Sequence, residues 1–162
     1  MDKFSHTVKK MSAFVNEAAS WGVVLSMLLV VLNVILRAFF KRPILGTYEY
    51  VCFLSAVIVG CGIAYCAAID GHIAIGFVLE KLGKRAQGVT GIIISVATLI
   101  GMLVFTWRMF LYAARLAANN EVSPTTQTPF YLFVYITAIG FLVLCLVLLD
   151  KAIRAFKEVR RT

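Results

Sequence analysis

Two histidines, four cysteines and eight carboxylates are the side chains of this 162-residue chain that could ligate a metal, attack a carbonyl or move a proton. Their spacing supports none of these. Cys52, Cys61, Cys66 and Cys145 all lie in apolar runs and form no C-x-x-C pair, which a zinc site or a redox motif would need. Cys61 and Cys66 are five apart, off a shared helical face. They read as small apolar residues of a helical bundle. A bis-histidine haem needs two intramembrane ligands, and His6 and His72 both fall outside the apolar spans. No serine elbow, phosphate loop or paired histidine and carboxylate is present. The expectation is no catalytic residue, no cofactor and no metal.

The remaining polar candidates stand at the edges of apolar blocks. The stretch RAFFKRPILGTYE runs from Arg37 to Glu49. Thr47 can N-cap the helix that follows, and Glu49 then sits in its first turn, where a carboxylate favours the positive helix end. Arg37 closes the preceding span. An Arg37–Glu49 pair would neutralise two charges at the hydrocarbon edge, and it is the expectation over two solvated interface charges. Unpaired at the bilayer centre an arginine costs about 2.5–3.5 kcal/mol, less at the edge. Asn33 lies one turn before Arg37 on the same face; a contact to a partner and one within the chain are both open. Asp70-Gly71-His72 ends the second span, with Gly71 suited to a left-handed C-terminal position and His72 in a structural role near the negative helix end. In the stretch EVSPTTQTP from Glu121 to Pro129, Thr128 can cap the last helix and Pro129 take its first position. No span carries an acid at mid-membrane or an internal proline. An ion-coupled carrier normally needs such a carboxylate or a broken helix there. This chain is therefore not expected to be the part that moves a substrate.

The elements that must position these residues are set by hydropathy. Of the residues, 61% are hydrophobic and only 15% charged, against about 45–50% and about 25% in soluble domains. Four apolar spans stand out, at about 18–36, 48–69, 88–111 and 130–149. At ~1.5 Å per residue each covers the ~30 Å hydrocarbon core. Runs of this length are helices, since barrel strands would alternate. The first run, Ala18 to Phe40, exceeds a signal-peptide core and is expected to be retained. The fold class is thus an all-α integral membrane domain over 1–162.

Lysines and arginines orient it. Eleven lie in the N-terminal segment, the second loop and the tail; five (Arg37, Lys41, Arg42, Arg108 and Arg115) lie on the other side. The richer side is cytoplasmic by the positive-inside rule, so both termini are inside. The net charge of +8 is then a membrane-surface feature, and nucleic acid is not an expected partner. Trp21, Tyr48, Tyr50, Trp107, Tyr112 and Tyr131 mark the headgroup levels. Three flanking segments are amphipathic: Phe4, Val8, Met11 and Val15 before the first span; 73–85, with Ile73, Phe77, Val78 and Leu82; and Ile153, Phe156 and Val159 in the tail. Such segments lie in the interface and contact phospholipid, the expectation for 73–85; for the tail, a plain extension of the last helix is equally open.

Taken together, the Arg37…Phe40…Pro43-Ile44…Gly46…Glu49 loop, the His72-Ile73 step into an interfacial segment and the Ser123…Thr125…Pro129 entry into the last helix resemble the small membrane (Q) subunit of tripartite ATP-independent periplasmic (TRAP) transporters. The resemblance covers nearly the whole chain. It departs at Ala74 and Gly76, where such subunits often carry a basic residue and an acid. It implies a bacterial or archaeal cytoplasmic (inner) membrane protein in stable association with a large membrane subunit. That subunit holds the substrate and sodium sites and moves as an elevator, and a periplasmic substrate-binding protein docks transiently. The small subunit would scaffold and anchor the large one for sodium-driven uptake of an organic anion. Asn33, Arg37, Pro43, Gly46, Glu49, His72, Ser123 and Pro129 become candidates for structural or partner contacts, and Gly60, Gly62, Gly91 and Gly101 for close helix approach. The alternative is a structural subunit of a different membrane complex. A quinone-linked redox protein would need a cysteine pair or haem ligands, which are missing.

Overall fold

The computed structural model describes the backbone of residues 2–69 and 84–161, and the side chains of 6–69, 90 and 92–153. Within these residues the chain is helical: α1 (Asp2–Phe40), α2 (Thr47–Ala68), α3 (Lys84–Ala118) and α4 (Phe130–Arg161). Each carries a stretch long and apolar enough to cross a bilayer. His72 and the 73–85 segment, save its last two residues, lie outside the described residues.

The helices outrun the apolar spans because their flanks continue the helical period with polar residues. The 39 residues of α1 extend ~58 Å at ~1.5 Å per residue, about twice the hydrocarbon thickness. Its first turns do not form a separate interfacial helix. They continue into the span, and Val8 (4% exposed) joins a cluster with Ala64, Ala67, Val143, Leu144 and Val147, with Val15 packed against it. Met11, of the same sequence stripe, stays 41% exposed. The stripe expected to face lipid headgroups thus turns partly onto the ends of α2 and α4.

The ends have local causes. Lys41 takes a left-handed φ of 53° just past α1, and Pro43 cannot extend the helix. α3 closes with a Schellman motif: Glu121 N–H donates to Leu116 O (3.1 Å) and Asn120 N–H to Ala117 O (3.3 Å), with Asn120 left-handed at φ 50°. Asparagine tolerates that conformation better than a branched residue.

α2 and α4 form the centre. α1 packs on α2 with a smaller contact to α4, and α3 packs on α4. In lipid, burying an apolar side chain gains little by hydrophobicity, so close approach and van der Waals contact decide association. The α2–α4 seam is built for this. A Cβ on Gly140 would overlap the Gly60 carbonyl and come within 2.9 Å of Cys61 N; one on Gly60 would lie 2.7 Å from Thr137 Cγ2 and 3.1 Å from Thr137 O. Gly60 meets the sequence expectation. Gly62 and Gly101 do not, having nothing within 4 Å of a built Cβ, and the packing of Gly91 lies outside the description. Two threonines in the spans satisfy their hydroxyls along their own helices: Thr137 donates to Phe133 O (2.8 Å) and Thr106 to Met102 O (2.7 Å).

Candidate functional site: a polar clasp between two loops

Antiparallel succession puts loop 41–46 and loop 119–129 at one end of the bundle. There the hydroxyls of Ser123 and Thr126 converge on Glu49. Glu49 occupies the first turn of α2 as expected. Its carboxylate accepts from Ser123 Oγ, from Thr126 Oγ1 (3.1 Å) and from Thr125 N–H (3.3 Å). Every partner is a donor, which suits an acceptor-only carboxylate. Thr128 Oγ1 donates to Thr126 Oγ1 (2.8 Å) and lies 3.4 Å from the Tyr50 hydroxyl. The chain of hydroxyls therefore returns to α2 one residue after Glu49.

The loop that presents these donors is closed on itself. Val122 and Pro129 form an antiparallel bridge. Ser123 N–H donates to Thr128 O (2.9 Å), and Gln127 N–H to Ser123 O (3.0 Å). Ser123 is 1% exposed, so its hydroxyl would be costly without a partner. Beneath the loop, Phe53 of α2 meets Phe130 edge-on (5.2 Å) and stacks on Phe133 (4.6 Å). Aromatic contact thus continues the clasp into the hydrocarbon.

The other candidates serve the first loop. Asn33 Oδ1 accepts the Ile44 N–H at 2.8 Å, an internal contact that ties the loop back to α1. Gly46 is the N-cap of α2 with φ 76°. A Cβ there would collide with the Thr126 methyl, so both conformation and space call for glycine. Thr47 is not the cap; it is the first helical residue, and its hydroxyl donates to Ile44 O (2.8 Å). Thr128 donates its hydroxyl proton to Thr126 Oγ1. Pro43 is exposed in the loop, and Pro129 directly precedes α4.

The expected Arg37–Glu49 pair is corrected by this geometry. The groups that hydrogen-bond the carboxylate come from loop 119–129, and Arg37 is exposed on α1. Three neutral donors satisfy Glu49 without holding a long side chain in one rotamer. The roles of Thr125, Thr126 and Tyr50 were not evident from sequence. A hydroxyl-rich run, Ser-Pro-Thr-Thr-Gln-Thr from Ser123, in so apolar a chain was the available signal.

Among the described residues no group of three histidines, cysteines or acids could hold a metal. The carboxylate is held by three donors, two of them hydroxyls and one a backbone N–H. This arrangement positions two loops. Residues 26–158 match the model of a family described as "Tripartite ATP-independent periplasmic transporters, DctQ component". No characterised protein and no solved structure matches.

Proposed function

Since the chain belongs to the DctQ family, a non-enzymatic family of small membrane components of TRAP transporters, we propose that it scaffolds and anchors the large elevator subunit. In this reading it forms a stable heterodimer with that subunit (DctM). A periplasmic binding protein (DctP) docks transiently, and the complex takes up an organic anion with sodium. Both termini lie in the cytoplasm, and the clasp end faces the periplasm of an inner-membrane protein.

The observation that carries this reading is the uneven burial of the spans. In the most apolar stretch of α1 no residue is buried, and in that of α3 almost none, whereas about two-fifths of the α4 stretch is buried. Val30, Val31 and Val34 of α1, and Val104 and Trp107 of α3, are among the exposed side chains. A chain whose outer helices offer broad apolar faces, and whose Glu49 carboxylate is held by its own second loop, suits a scaffold beside a larger membrane body. It does not suit a carrier with its own pathway.

The test is co-expression with the neighbouring genes, extraction of the tagged chain in mild detergent, and uptake in proteoliposomes. A stoichiometric large membrane subunit, with sodium-dependent organic-acid uptake that needs both subunits and the binding protein, is the expected result. A tagged chain that runs alone, with uptake unchanged in its absence, would refute the proposal.

A further inference from the structure

At the end of the bundle away from the clasp, the first turns of α1 and the last turn of α2 enclose a cleft of about 700 Å³. His6, Lys9, Lys10, Ser12 and Ala13 line one wall, and Tyr65, Ala68 and Ile69 the other. The spacing explains the charge. His6 is three and four residues before Lys9 and Lys10, and Ala13 follows them by four and three, so all share one face of α1. Tyr65, Ala68 and Ile69 repeat that spacing on α2. No acid is among the described lining residues.

The two walls differ in chemistry. One offers two ammonium groups and an imidazole; the other offers a phenol, a methyl and the half-exposed Ile69. Phe14, 77% exposed, follows Ala13 toward the apolar span. The volume falls within the ~300–1,000 Å³ range of small-molecule sites. Basic pockets between helices at a membrane surface suit phosphate headgroups, whose acyl chains continue along the neighbouring apolar helix.

We propose that this cleft binds the phosphate of an anionic phospholipid, with Lys9 and Lys10 as its charge partners and His6 as a further donor. The lipid's chains run along α1 beside Phe14. Such a lipid would tie the first turns of α1 to the end of α2 at the bundle end away from the clasp. The proposal does not depend on the transport reading.

The test uses the full-length chain in mild detergent, with native mass spectrometry of added phosphatidylglycerol, phosphatidylcholine and inorganic phosphate. Lys9→Gln/Lys10→Gln removes two exposed charges. Lys41→Gln/Arg42→Gln removes two from the opposite end as a control. Phosphatidylglycerol should bind more tightly than phosphatidylcholine, and the Lys9/Lys10 variant should weaken it about 30-fold, the control by less than about threefold. Equal binding of the two lipids, or an equal loss in both variants, overturns the proposal. Displacement of phosphatidylglycerol by inorganic phosphate at comparable concentration overturns the lipid as ligand and leaves a soluble-anion site. Far-ultraviolet circular dichroism of each variant separates lost binding from lost folding.

Discussion

The α2–α4 seam is held in two different ways along its length. At the clasp end a carboxylate and a set of hydroxyls join Glu49 and Tyr50 to loop 119–129. Toward the other end α2 and α4 meet by shape: Gly60 against Gly140, then Ala64 and Ala67 against Val143, Leu144 and Val147. The difference follows the solvent. A polar network in hydrocarbon would be expensive wherever it was incomplete, so hydrogen bonds gather where the loops meet water. Inside the bilayer small residues let backbones approach. The seam should therefore respond to volume, and the clasp to the loss of an acceptor.

The largest effect belongs to the seam. Gly140→Val places side-chain atoms into the Gly60 backbone, which has no flexible end to yield. Overpacking costs about 1–3 kcal/mol or more. A clear fall in thermal midpoint is expected in detergent; an unchanged midpoint would show that the helices are not this close. Next is Glu49→Ala, which leaves the buried Ser123 hydroxyl without its acceptor and should cost about 1–3 kcal/mol. Hydrogen exchange should rise at Thr125 and Thr126 and stay unchanged at Ala64. A spread of faster exchange along the whole seam would argue against two independent fastenings. Gly46→Ala should cost about 1 kcal/mol through its left-handed φ and the Thr126 contact, seen as loosening of the same loop. Asn33→Leu removes the acceptor of Ile44 N–H, and about 1 kcal/mol or less is expected because loop water can substitute. Smallest, Trp107→Ala on the exposed face of α3 should move the chain's own midpoint by less than about 0.5 kcal/mol.

The positions of the four spans were legible because apolar blocks of the right length have few other uses. Their ends were not, since an amphipathic extension reads the same whether it lies in the interface or continues a helix. Only the packing of Val8 against Ala64 and Val147 decided that for α1. Within the clasp, the place of Glu49 in the first turn of α2 followed from local rules. Its partners did not. Ser123, Thr125 and Thr126 are 74 to 77 residues away, and the nearby Arg37 offered a simpler pairing by charge. Gly140 was missed for a related reason. A glycine in a span acquires meaning only from the backbone opposite it, here that of Gly60.

The exposed flanks are where the scaffold reading can be tested most directly. A photo-crosslinking residue would be placed at Val30 in α1, at Trp107 in α3 and at the buried Val143 in α4, in membranes that also contain the large subunit. The expected result is a crosslink to that subunit from at least one flank and none from Val143. Flanks that label only lipid, in membranes where the large subunit is present and active, would contradict the claim that this chain is its scaffold.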